Sequence, residues 1–232
     1  MKIHCIWEHN GEDTLLYATD YPGAYARGTS LQEAAEKLPS EVRSYQQWAG
    51  LTEESDEAEI VQEKTSDLAI RDADSDVIFD CERTALTKTE YQALKALVIK
   101  SARDFQALYD SIPSKDQSSL PVRSTFYGQV PRTAREMYEH TKNVNDYYFG
   151  EINVPADHDG TIAECRERGF ADLEQIPDFL LHEPCEGSYG EEWSLRKVMR
   201  RFLWHDRIHA KAMYRMAIKT IGADKVKNPF CF

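Results

Sequence analysis

The sequence predicts an α+β chain of two domains, a small β-β-β-α-β domain over residues 1–86 and an all-α four-helix bundle over residues 87–232. Three observations predict it. Apolar residues before Thr87 fall in short strand-like runs around one helical stretch, and after it they recur at helical spacing. Charge changes at the same place: residues 1–86 hold 19 acidic and 7 basic side chains, whereas residues 87–232 hold 21 of each. The length of 232 residues exceeds one typical domain, and 41% hydrophobic with 29% charged residues is an ordinary globular composition.

The first strand is expected over residues 2–8, followed by turn chemistry in His9-Asn10-Gly11-Glu12-Asp13. Leu15, Leu16 and Tyr17 open a second strand that ends at Tyr21-Pro22-Gly23, and Ala24 to Arg27 form a short extended piece. Ser30 caps a helix from Leu31 to about Trp48, with Glu33 at the capping-box position. Pro39 predicts a kink or break in it, and Gly50 its stop. After the acidic run Glu53-Glu54-Ser55-Asp56-Glu57, Ile60 and Val61 start another strand, and Val77-Ile78-Phe79 reads as the last. Asp72, Asp74 and Asp76 lack the glycine and glutamate of a calcium loop and read as a solvated turn.

In the second part, Thr87 and Glu90 make a capping box before a helix that Pro113 terminates. A Ser- and Pro-rich loop leads to Pro131, a good first-turn residue for a second helix. A third helix is expected from about Ile162 to Ile176, flexed at Gly169, and the last from about Glu191 to Ile221 with Gly222 as its stop.

An acidic N-terminal part and a neutral remainder argue against sequence-independent nucleic-acid binding, which needs a basic footprint. No apolar run approaches the roughly 20 residues that span a bilayer. The opening MKIHCIWEHN is too polar for a secretory signal, so a cytoplasmic protein is expected. Cys5, Cys81, Cys165, Cys185 and Cys231 are scattered, with no C-x-x-C pair, and read as reduced, buried thiols.

The core-facing stripe of the last helix reads Val198, Phe202, His205, His209, Met213 and Met216. His205 and His209 are four apart, which places both imidazoles on one face. His140 lies on the apolar stripe of the second helix, between Met137 and Val144. One histidine on a core face is usually a hydrogen-bonded core residue. Three on two core faces are harder to satisfy that way, and a shared metal ion would serve all of them. Glu139 and Asp206, each next to a candidate ligand, are candidates for proton transfer or ligand orientation. His4 and His9 read as surface residues, His158 as part of a solvated turn, and His182 as a loop surface residue rather than one lining the site mouth.

The segment Trp193-Ser194-Leu195-Arg196 … Trp204-His205-Asp206-Arg207-Ile208-His209 resembles the final helix of the DinB-like family. Thr133-Ala134-Arg135-Glu136-Met137-Tyr138-Glu139-His140 resembles that family's second helix. The resemblance covers about residues 87–222 and implies a four-helix bundle with metal ligands at His140, His205 and His209. Many family members have Glu directly after the first histidine of the pair, where this chain has Asp206. The resemblance also implies a divalent ion, zinc or nickel, that activates water or a low-molecular-weight thiol for transfer or hydrolysis. His205-Asp206-Arg207-Ile208-His209 is one residue type from the H-E-x-x-H protease motif, but Asp206 is a methylene shorter than the Glu that serves as base.

The run Tyr21-Pro22-Gly23-Ala24-Tyr25-Ala26-Arg27-Gly28-Thr29-Ser30-Leu31-Gln32-Glu33-Ala34 resembles the HicB-like antitoxin fold. That resemblance implies an interaction or dimerisation module with a protein partner. Two readings thus stand open. One is a metal-dependent transferase or hydrolase, acting on a small molecule such as a thiol. The other is a non-catalytic interaction protein with a structural or vestigial metal site. Homodimerisation through the bundle helices is compatible with both.

Overall fold

A computed structural model describes residues 2–52, 57–67, 77–125 and 128–232. Its N-terminal part is a four-stranded sheet of β1 (Lys2–Asn10), β2 (Asp13–Ala18), β3 (Tyr25–Gly28) and β4 (Glu57–Thr65), in the order β3-β2-β1-β4. β1 pairs antiparallel with β2 and parallel with β4, and β2 pairs antiparallel with β3. Helix α1 (Leu31–Ala49) lies between β3 and β4 in sequence. The residues 53–56 of the acidic run and the residues Asp72, Asp74 and Asp76 lie outside the described residues.

Ser30 accepts a hydrogen bond from the Glu33 amide to start α1, and Gly50, at φ 72°, ends it. Pro39 stands inside this helix, which nevertheless runs unbroken over 19 residues. Pro39 is only partly buried, on the margin of the apolar stripe formed by Ala34, Leu38, Val42 and Tyr45. Packing of that stripe against the sheet holds the helix together across the missing hydrogen bond.

Strand alternation divides the sheet residues between two faces. Ile3, Cys5, Leu16, Ala18 and Ala26 join the core that includes α1. Ile6, Leu15 and Tyr17 form the other face, together with Val77, Phe79 and Trp204. Residues 77–79 are buried, as the pattern suggested, but they are not a strand. Their backbone is held by side chains instead of a ladder: Gln62 donates to the Ile78 carbonyl at 3.1 Å and accepts from the Asp80 amide at 2.9 Å, and Arg200 donates to the Val77 carbonyl at 2.8 Å.

The chain continues through α2 (Lys88–Ser111), a two-residue-strand hairpin β5 (Ser124–Thr125) and β6 (Gly128–Gln129), α3 (Ala134–Gly150) and α4 (Ile162–Leu173). A second small hairpin, β7 (Cys185–Glu186) with β8 (Glu192–Trp193), precedes α5 (Leu195–Ile221). Helices α2 and α3 each pack against both α4 and α5. Thr87 and Glu90, Thr133 and Glu136, and Thr161 and Glu164 each form a reciprocal capping box. The expected starts and stops shift accordingly. Pro131 precedes the cap Thr133 of α3, and α4 ends at Leu173 rather than Ile176. α5 starts at Leu195, capped by Ser194, because residues 192–193 are taken by β8. Gly169 of α4 lies tight against α3: a Cβ there would stand 2.4 Å from the Phe149 ring.

α5 serves both halves of the chain. On one side Val198, Phe202, Met213 and Met216 are buried in the core shared with the other helices. On the other side it meets the N-terminal part through ion pairs. Arg200 holds Glu82 at 2.5 and 3.0 Å, Arg207 holds Glu41 at 2.9 Å, and Lys211 also binds Glu41. Arg196 donates to the carbonyls of Thr84 and Ala85. Between these pairs Gly23, at φ 99°, sits so close to α5 that a Cβ would lie 2.8 Å from the Leu203 Cβ. The apolar core runs without interruption from the sheet and α1 into the helices.

All five cysteines are free. Cys5 and Cys165 are buried, as expected of small hydrophobes, and burial pushes the Cys5 thiol up to about 12. Cys81 is exposed, which corrects the expectation for that residue. No helix among the described residues is long and apolar enough to cross a membrane.

Candidate metal centre

α3 and α5 bring His140, His205 and His209 together, and one nitrogen from each lies within 4.8 Å of those of the other two. His140 Nε2 and His205 Nε2 are 3.2 Å apart. Ring centroids are separated by 4.9 Å for His140 and His205, 4.6 Å for His140 and His209, and 4.4 Å for His205 and His209. Two nitrogens on a tetrahedral ion at 2.0–2.1 Å stand about 3.3 Å from each other. His140 Nε2 and His205 Nε2 thus already have ligand spacing.

The site is graded in depth. His205 is buried, His209 is partly buried and His140 is exposed. A ligand therefore has access from the α3 side. Burial holds both His205 and His209 well below the ordinary histidine value, and the neighbouring imidazoles add to the effect. Neutral imidazoles offer the lone pairs that a metal requires. His205 Nδ1 is buried without a hydrogen-bond partner. The ring of Tyr148 stands edge-on to His205 at 6.0 Å.

The two acidic candidates are not part of this cluster. Asp206 is fully buried, and its carboxylate takes both terminal nitrogens of Arg166 at 2.6 Å together with the Ser101 hydroxyl at 2.6 Å. Successive helical residues point about 100° apart. Asp206 therefore faces α2 and α4 while His205 faces α3. Glu139 is on the surface and pairs with Lys142 at 2.8 Å. On this geometry the Asp206 carboxylate sits in a buried ion pair and the Glu139 carboxylate in a surface one, neither of them grouped with the three imidazoles.

The other histidines are elsewhere. His4 pairs with Asp20, His9 stacks on Trp7 and pairs with Glu63, and His158 pairs with Asp146. His182 follows a short helical turn whose Phe179 packs on Tyr91, and it is not one of the three grouped histidines.

Sequence reasoning missed Arg27 and Arg201. Arg201 is buried, with its guanidinium carbon 5.1 Å from the Tyr148 ring, 5.5 Å from Trp193 and 5.3 Å from Trp204. Its charge bears on His205, and that of Arg27 on His209. Strand alternation between Tyr25 and Arg27 was the only available signal for the latter.

Comparison with protein-family models, curated proteins and solved structures finds no match to this chain. The residues themselves therefore carry the functional argument.

Proposed function

We propose that the helices α2–α5 form a DinB-like four-helix bundle and that His140, His205 and His209 hold one divalent ion, zinc or nickel, in a catalytic centre. The observation that carries this reading is the convergence of three imidazoles from two helices, with His140 Nε2 and His205 Nε2 3.2 Å apart. Imidazole suits both ions, and three protein ligands leave positions for an exogenous group. When bound, such an ion supplies Lewis acidity and lowers the pKa of water or a thiol held next to it.

The chain's own residues fix the ligands rather than move protons. The Arg166–Asp206 pair anchors α5 to α4 directly beside His205, and Ser101 adds α2 to the same knot. Trp193 and Tyr148, with ring centroids 5.7 Å apart, wall the buried side. Exposed His140 leaves the α3 side for the substrate. The reaction class supported is transfer to, or hydrolysis by, a small nucleophile such as water or a low-molecular-weight thiol. For the N-terminal part the HicB-like reading is a protein-binding module.

A second reading is favoured by one observation. Among the described residues no carboxylate joins the histidine group, so the centre lacks an evident general base. On that reading the ion is structural or vestigial, and the chain is an interaction protein. Thiol-transfer and hydrolase assays on zinc- and nickel-loaded protein, against metal-free protein, separate the two. Turnover that needs the ion supports catalysis, and its absence across both substrate classes supports the interaction protein.

A further inference from the structure

We propose that a small monovalent anion of the halide class, chloride being the common member, binds between α1 and α5 and is held by Arg207 and Tyr45. This inference is independent of the metal centre proposed above.

Glu41 and Tyr45 are one turn apart on α1, and Arg207 and Lys211 are one turn apart on α5. The two pairs meet across the helix interface. Arg207 Nη2 donates to one oxygen of Glu41 at 2.9 Å, and Lys211 binds the other oxygen of the same carboxylate. The Arg207 guanidinium carbon stands 5.2 Å from the centre of the Tyr45 ring. Arg207 is completely buried and Tyr45 is 1% exposed.

Charge is out of balance at this place. Two cations share one carboxylate, and among the described residues neither has another acidic partner. Trp48, whose ring lies 5.5 Å from the guanidinium carbon, donates to Asp104, but that carboxylate is taken by Lys100. A buried charge without compensation is costly, and one negative charge would restore neutrality.

The hydrogen-bonding groups ask for the same thing. Arg166 places both of its Nη atoms on Asp206, and Arg200 uses Nε and Nη2 on Glu82. Arg207 uses only Nη2 on its carboxylate, and both its Nε and its Nη1 are buried without a hydrogen-bond partner. The Tyr45 hydroxyl beside it is buried and unpartnered as well. These groups offer three N–H donors and one O–H donor, and the rest of the wall is the rings of Tyr45, Trp48 and Phe232. A water molecule accepting from them would find no acceptor for its own hydrogens. A halide accepts from every donor and supplies the missing charge. The aromatic wall favours an ion that is weakly hydrated over phosphate or sulfate, whose second charge would go unmatched. Bound there, the ion ties the N-terminal part of the chain to α5.

Thermal melts of the full chain test this at one ionic strength, with sodium chloride or sodium bromide replacing sodium gluconate, whose anion is too large to be enclosed. The melting midpoint of wild type is expected to rise saturably with either halide. The His205→Ala, His209→Ala variant should respond equally, which separates this site from any anion held on a metal. Tyr45→Phe removes one donor and no charge, and is expected to weaken the apparent halide affinity at least about tenfold. Arg207→Lys keeps a cation for Glu41, loses the fork and should abolish the response; Tyr45→Phe decides the matter where that variant does not fold. Crystals grown in bromide are expected to show an anomalous peak within hydrogen-bonding distance of Arg207 Nη1 and the Tyr45 hydroxyl. Such a peak with equal midpoints in bromide and gluconate would mean an adventitious ion only, and overturns the inference. A halide response that Tyr45→Phe leaves unchanged, or no peak at that position, overturns it too.

Discussion

Asp206 follows His205 directly in sequence, yet its two oxygens are each held at 2.6 Å by the guanidinium of Arg166, on α4. Both side chains are completely buried. The neighbour of a candidate metal ligand is thus tied to the opposite side of α5, and the tie fixes the rotation of that helix about its own axis. Asp206 thus joins α5 to α4 and leaves His205 on the side of the helix that faces α3.

That geometry predicts separate effects on stability and on the metal. Removing one partner of a buried pair leaves a charge without compensation and costs about 3–5 kcal/mol. Arg166→Met is therefore expected to lower unfolding stability in urea by about that much. Asp206→Asn, which keeps the size, should destabilise as well and should retain the metal in whatever fraction stays folded. An Asp206→Asn protein that unfolds like wild type but loses its metal would move Asp206 back to the site.

Acid sensitivity of the metal-free protein follows from the buried histidines. His205 and His209 are held well below 6.5 in the folded chain, chiefly by burial. In the unfolded chain they take up protons first as the pH falls through 6.5, so folded stability is complete above that value and declines below it. The slope is at most about 1.4 kcal/mol per pH unit for each histidine. Urea melts at about pH 7.5 and about pH 5.5 should show the decline in wild type and a smaller one in a His205→Ala, His209→Ala variant. Equal slopes would mean that these histidines are solvated.

Gly23 tests how the N-terminal part is attached. Its φ of 99° disfavours any side chain, and a Cβ would meet the Leu203 Cβ at 2.8 Å and the Leu203 carbonyl carbon at 2.9 Å. The second of these is backbone and cannot turn aside. Gly23→Ala is expected to destabilise the whole chain by about 2–4 kcal/mol, combining strain with overpacking. Thermal melts followed by Trp fluorescence and by circular dichroism should shift together. A loss confined to residues 1–86, with the helices melting as before, would show that the two parts fold independently.

Much of this fold is legible in the sequence. Ser30 with Glu33 and Thr87 with Glu90 place two helix starts correctly, and the same signature at Thr133–Glu136 and Thr161–Glu164 would have placed two more. Helical spacing of His205 and His209, and the apolar neighbours of His140, bring the three rings to one place. Periodicity cannot reveal what neighbours from distant segments do. Phe79 reads as strand, but Gln62 and Arg200 satisfy the backbone around it with side chains. Asp206 reads as catalytic because its partners, Ser101 and Arg166, come from 105 and 40 residues away. Arg27 is invisible until the sheet is laid against α5.

The measurement that tests the central claim most directly is the metal content of protein purified without a histidine tag, beside the His205→Ala, His209→Ala variant. The geometry of the three imidazoles predicts close to one zinc or nickel per chain in the parent and close to none in the variant, with both proteins folded by circular dichroism. A folded parent that stays metal-free after incubation with either ion would contradict the account. It would leave His140, His205 and His209 as a histidine cluster without an ion, running from exposed His140 to buried His205.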